Sequence, residues 1–211
     1  MKKRDYKNFS VGSIYHIYNR GNNKENIFFD EQDYRAFLYR IALAMKIDKE
    51  IIENSDLLNS PKSRIRISPF PKNTFKIHTF CLMPNHFHFL IEQKSEEKIF
   101  KFLHKVCTSY SMYINKKYGR VGHLFQDRFK SVRVSTNEQL ILVSSYIHAN
   151  PVKDKLVSEF DTYKWSSYSD YINNRKLPIT ETEFLLDVFG GKENLKKELD
   201  AYMVSRRVLD I

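Results

Sequence analysis

The chain has 211 residues, enough for one domain with a proper core, with or without a helical appendage, and too few for two full domains. Lysine and arginine number 35 against 25 aspartate and glutamate, and the formal charge of +10 favours a polyanionic partner, nucleic acid ahead of an acidic membrane surface. The two cysteines, Cys81 and Cys107, lack CxxC spacing, which excludes a disulfide framework and a cysteine zinc site and fits a reducing compartment.

The opening MKKRDYKNFSVG is basic but lacks the apolar stretch of a secretory signal, and no run of about eighteen apolar residues follows. The expectation is a soluble, cytoplasmic protein. Val11 to Tyr18 alternates, with Ile14, His16 and Tyr18 on one side, and reads as a first strand closing at Asn19-Arg20-Gly21. Asp30 to Lys46 carries Tyr34, Phe37, Leu38, Ile41 and Ala44 at helical spacing. From Asp48 to Asn73 the period dissolves among prolines and serines, predicting an irregular, solvated insertion.

Phe75 to Leu82 and His86 to Glu92 are two short strand-like runs joined at Met83-Pro84-Asn85, which predicts a hairpin. Glu96 to Tyr118 is helical in period, with Gly119 placed as its C-cap, and HLFQDRFKSVRV reads as a further strand. Ser135-Thr136-Asn137-Glu138 has the form of a capping box opening a helix to about Ala149, where Asn150-Pro151 is expected to stop it. Glu181 to Phe189 and Glu193 to Val204 are the helices expected after Val157. The order implies an α+β fold: an antiparallel, ferredoxin-like (split βαβ) sheet with packed helices and a helical C-terminal extension. We place the boundary between residues 1–157, a catalytic unit, and the extension, 158–211.

On a strand of period two, His86 and His88 share one face while Phe87, Phe89 and Ile91 take the other. Two imidazoles at that spacing suit a divalent metal if a third donor arrives, although an H-x-H pair alone is more often a histidine pair without a ligand. Tyr146 and Asn150, four apart, share a helix face and can bring a phenol and an amide together. A half-buried tyrosine and a helix-terminal asparagine are the plain alternative. Tyr110, Tyr113 and Tyr118 are expected to pack or bind, His148 is given no role, and His16 reads as a packing histidine, with approach to the histidine strand as the alternative if the first strand lies beside it.

These residues sit in recognisable blocks. CLMPNHFHFLIE resembles the HUH motif of single-tyrosine transposases, and YIHANPVKDKLV resembles the tyrosine helix of the REP-associated tyrosine transposase group. YHIYNRGNNKENIF and GHLFQDRFKSV are similar to further blocks in the same order. The resemblance implies that His86 and His88 bind a divalent metal, Mg2+ or Mn2+. It also implies that Tyr146 attacks a DNA phosphodiester to form a 5′-phosphotyrosine, and that Asn150 stands at a polar metal-side position. It further implies single-stranded DNA carrying a hairpin as the partner and a transposase activity, in relatives that work as monomers or dimers.

Arg128, Lys130 and Arg133, interleaved with Phe129 and Val132, are candidates for the DNA backbone, with a solvated basic strand face as the equal alternative. Two imidazoles would also bind Zn2+ well, so the metal is open at this stage. The competing readings are a single-strand DNA or RNA binding module without chemistry, and a metal phosphoesterase that activates water and dispenses with Tyr146.

Overall fold

The computed structural model describes residues 9–59, 65, 67–172 and 175–209. Most of the basic opening segment, residues 1–8, and part of the insertion, 60–64 and 66, lie outside the described residues, as do 173–174 and 210–211 of the extension. Strands β1 (Ile14–Arg20), β2 (Phe75–Met83), β3 (His86–Gln93) and β4 (Lys130–Val134) form one sheet in the order β2-β3-β1-β4, each neighbouring pair antiparallel. Helix α1 (Glu31–Ala44) and the short α2 (Lys49–Glu53) connect β1 to β2, and α3 (Ile99–Tyr118) connects β3 to β4. This is the ferredoxin-like plan expected from the sequence. Helix α4 (Asn137–Lys153) follows β4, and the extension adds α5 (Tyr168–Ile172), α6 (Glu183–Phe189) and α7 (Lys192–Leu209). Among the described residues no helix is long and apolar enough to cross a membrane.

The sheet separates two layers. On one face α1 packs beside α3 over Phe87 and Phe89, with the Phe37 ring 5.4 Å from Phe87 and 4.9 Å from Tyr110. Asp30 caps α1 in a reciprocal box with Asp33, and the fully buried Asp33 carboxylate accepts from the Tyr113 and Tyr118 hydroxyls and from Lys117. Tyr110 is buried and donates to the Ile27 carbonyl at 2.6 Å. All three tyrosines of α3 therefore tie α3 to α1 and to the chain before it. On the opposite face α4 packs chiefly on β2 and β3.

Several boundaries move for identifiable reasons. Ser13 donates to the Ser10 carbonyl around Gly12, whose φ is +74°, so β1 starts at Ile14 and not at Val11. Residues 49–53 of the insertion are helical, and only Lys130–Val134 of HLFQDRFKSVRV is strand, because residues 125–127 turn across the end of β1, where Gln126 donates to the Arg20 carbonyl. Gly119 ends α3 at φ +62°, as expected. Thr136, one residue beyond Ser135, caps α4 by accepting from Gln139 N.

Pro151 does not end α4. Its missing N–H costs one bond inside the helix, while the Asn150 amide donates to the Tyr146 carbonyl at 2.9 Å and reinforces that turn. The stop comes at Lys155, in the left-handed region at φ +57°, where Leu156 N reaches the Pro151 carbonyl and Lys155 N the Val152 carbonyl, a Schellman termination.

The extension covers the outer edge of β2, which would otherwise present unpaired backbone. Leu82 N donates to the Trp165 carbonyl, Ser167 N to the Phe80 carbonyl and Glu181 N to the Ile77 carbonyl, while Tyr163 and Tyr171 donate to Leu82 and His78 carbonyls. Buried His148 meets the Ser167 hydroxyl at 3.0 Å, so the histidine left without a role pins α4 to this segment.

His78, fully buried, holds the extension electrostatically: Nε2 lies 3.2 Å from Glu92 and Nδ1 3.0 Å from Glu181. A neutral imidazole has one N–H, so only the imidazolium satisfies both carboxylates. Burial opposes that charge, but the carboxylates of Glu181 and Glu92 outweigh it and raise the His78 pKa, while His78 lowers both glutamates. The stability contributed by His78 is complete below the ordinary histidine value of about 6.5 and falls as pH rises through the raised one; the glutamates lose theirs only in acid. His78→Gln is expected to cost about 3 kcal/mol near pH 6 and clearly less near pH 9 in urea unfolding, and equal costs at both would show that the imidazolium is not formed.

Candidate active site

β3 carries the chemistry because it is an inner strand with two differently occupied faces. Phe87, Phe89 and Ile91 are buried in the core, and His86 and His88 leave the other face, 7% and 4% exposed. The β1 register sets Tyr18 opposite His88 and His16 opposite Leu90, so His16 and Tyr18 share the histidine face. Across that face α4 lays the half-buried Tyr146 ring edge-on to His88 at 5.2 Å and to His16 at 5.8 Å between centroids. The phenol and the two imidazoles are therefore brought together, as their spacing alone left open.

Hydrogen bonds decide which nitrogen each imidazole offers. His86 Nδ1 lies 2.6 Å from Asn85 Oδ1, and the Asn85 amide nitrogen is committed to the Lys24 carbonyl, so Nδ1 carries the proton and Nε2 keeps its lone pair. His88 Nδ1 lies 3.0 Å from His16 Nε2, and the two rings stack. His88 Nε2 is buried with no hydrogen-bond partner among the described residues. An orphaned buried ring nitrogen costs free energy unless another group bonds it. With Nδ1–H donated to His16, both HUH histidines present Nε2 lone pairs, the form in which imidazole binds a metal.

The charges agree with that use. Burial lowers the His86 pKa to about 4, with Arg20 adding to the effect, and lowers His16 to about 4 as well; it holds His88 well below the usual range. All three rings are neutral at neutral pH. Burial raises the Tyr146 phenol above its ordinary value, Tyr202 adds to this, and the Asn150 amide acts in the opposite direction. A phenolate at this position therefore needs a cation. Among the described residues no group of three or more His, Cys, Asp or Glu is arranged to hold a metal.

A cavity of about 290 Å3 opens beside these rings, lined by Tyr18, Arg20, His86, His88, Tyr146, Gln126, Asp127, Arg128 and Lys130 among others. Arg128 and Lys130 thus line this cavity, with Lys130 Nζ 5.8 Å from the Tyr18 ring centre. Arg133 does not: it pairs opposite Tyr15, three residues from Lys130 on a strand, and leaves the other face of the sheet. Asn150 is buried and does not line the cavity; its amide nitrogen is on the Tyr146 carbonyl, which leaves Oδ1 as the atom it can offer. Sequence reasoning missed Tyr18, Arg20 and Gln126 and took His16 for a packing residue. The parity of β1 already put His16 and Tyr18 on one face, but which face depended on the register with β3.

The family of IS200-like transposases matches residues 33–150, more than half of the chain. Among solved structures, a REP-associated tyrosine transposase bound to a REP hairpin matches over 85% of this chain and 90% of its own, with a TM-score of 0.56 and 12% sequence identity, a likeness of fold. No curated protein matches the sequence.

Proposed function

Because the chain belongs to the IS200-like transposase family, and is thereby a DNA-nicking and strand-transfer enzyme, we propose that it cuts single strands through a covalent bond to Tyr146. The observation that carries this reading is the approach of the Tyr146 ring to His88, whose buried Nε2 has no hydrogen-bond partner among the described residues, on the face that His88 shares with His86. A pure binding module has no use for two desolvated imidazoles that present lone pairs to a phenol. A phosphoesterase using water has no use for the phenol.

In the proposed reaction the Tyr146 oxygen attacks phosphorus and the P–O3′ bond breaks. The phenolic proton is lost to water, and the departing 3′ oxygen takes one up. The product is a 5′-phosphotyrosine, in which the energy of the cleaved ester is kept, and attack by another 3′ hydroxyl rejoins strands without ATP. The site fits a divalent ion, Mg2+ or Mn2+ in this reading, held by Nε2 of His86 and His88 with Asn150 Oδ1 as a third donor. When bound, the ion neutralises phosphate charge and favours the phenolate. His16 holds the His88 ring in the tautomer that leaves Nε2 free, and Arg128 and Lys130 receive the backbone on either side of the cut.

The structural relative was solved with a hairpin, and hairpin-bearing single strands are the substrate we propose for this chain as well. We retain residues 1–157 as the catalytic unit, with 158–211 as an extension that steadies α4, and a cytoplasmic location.

Mixing the protein with a library of hairpin-bearing single strands and Mn2+ is expected to yield a DNA–protein adduct on a denaturing gel. Tyr146→Phe, His86→Ala and removal of metal with EDTA should each reduce it by about a thousandfold or more. An adduct that survives Tyr146→Phe would move the nucleophile elsewhere, and turnover without an adduct would favour water attack.

His16→Leu is expected to weaken Mn2+ binding by about ten- to a hundredfold, followed by paramagnetic resonance of free Mn2+, and His16→Gln to retain most of it, since the amide oxygen can still accept from His88 Nδ1. Equal losses in both would assign His16 to packing.

Arg128→Ala and Lys130→Ala should each flatten the salt dependence of DNA binding by about one unit of slope. Arg133→Ala, on the other face, should change it less, which filter-binding titrations at several salt concentrations will show.

A further inference from the structure

A second hollow, of about 560 Å3, opens between α3 and the segment before β4, and shares Asn19, Asp127 and Arg128 with the catalytic cavity. Its walls are apolar: Phe100 and Leu103 from α3 face Phe125 and Phe129 from the segment. The exposed His104 and the partly buried Ser111 lie on the same stripe of α3, and Asn19, Asp127 and Arg128 add polar groups on the side shared with the catalytic cavity. Phe100 is 40% exposed, a large aromatic left facing solvent at the mouth. The hydrophobic layer between α1 and α3 is complete without it.

We propose that this hollow takes one unpaired nucleobase of the bound strand, next to the phosphate held at Tyr146. The inference rests on the transposase reading, which supplies the strand. Continuity is the first argument: a strand whose backbone is held at Arg128 in the catalytic cavity meets the second hollow at the same residue, so its neighbouring base has this opening within reach. Chemistry is the second. A nucleobase offers two apolar faces and one polar edge, matching facing phenylalanines with hydroxyl and imidazole groups along one stripe of α3. The hollow then selects which nucleotide stands beside the cut, while the catalytic cavity itself contacts phosphate and sugar.

The test measures binding without cutting. The full chain carrying Tyr146→Phe is titrated with a hairpin-bearing oligonucleotide with thymidine arms, each arm position being made abasic or replaced by 2-aminopurine in turn. One position is expected to lose about tenfold in affinity when abasic and to show quenched fluorescence with 2-aminopurine. Phe100→Ser, and independently Thr108→Trp, which fills the hollow from the exposed side of α3, should both abolish that positional effect. A flat abasic scan, or a positional effect that persists in both variants, would overturn the proposal. Failure of the transposase reading appears separately, as absence of a Tyr146-dependent adduct with the unaltered protein.

Discussion

β3 has to satisfy two opposite environments at once, and the site exists only because it does. Both of its edges are hydrogen-bonded, to β2 and to β1, so its register has no freedom to slip. A shift of one residue would drive His86 and His88 into the aromatic layer and expel Phe87 and Phe89. Burying each phenylalanine contributes about 2–3 kcal/mol, more than it costs to desolvate a neutral imidazole whose Nδ1 is bonded. The hydrophobic core thus fixes the imidazoles, and the hydrogen bonds to Asn85 and His16 only choose which ring nitrogen faces the cavity.

Tyr146 is held less directly, from a helix that packs chiefly on β2 and β3. What fixes α4 is the extension. His148 lies two residues after Tyr146, on a different side of the helix, and its bond to Ser167 anchors α4 to a segment that is itself laid along β2. The Schellman termination at Lys155 turns the chain so that this segment can return. Helix α7 then packs along α4 and brings Tyr202 near enough to influence the Tyr146 phenol. Stability elements outside the family-matched residues 33–150 therefore set the position of Tyr146 within them.

The parts legible in the sequence were those written in local periodicity: the parity of His86 and His88, the shared helix face of Tyr146 and Asn150, the left-handed cap at Gly119, and the order of elements that defines the ferredoxin-like sheet. What escaped depends on distant chain. The role of His16 needed the β1–β3 register, which packing on both faces of the sheet decides. Gln126 and Asp127 lie where a strand was expected, because the bond from Gln126 to the Arg20 carbonyl is a nonlocal contact that bends the chain off the sheet. Pro151 misled because its cost inside the helix is offset by an asparagine side chain and by a stop four residues later. Arg133 is a different case: its odd separation from Lys130 already placed the two on opposite faces, and only the true start of β4 was needed to see it.

Access to the site follows from how the two edges of the sheet are treated. The β2 edge is closed by residues 163–167 and 177–181, and α4 roofs the adjoining half of the histidine face. The β4 edge is five residues long and bears exposed Lys130 and Arg133, short and charged in the way that discourages strand addition by another protein. Those features also make it the side on which a polyanion is attracted and not obstructed. A strand arriving there would meet Arg128 and Lys130 before it reached the imidazoles, and closure of the opposite edge would leave it no through-passage. On this reading the extension serves the chemistry twice, by steadying the helix that carries the phenol and by confining the approach of DNA to the basic side.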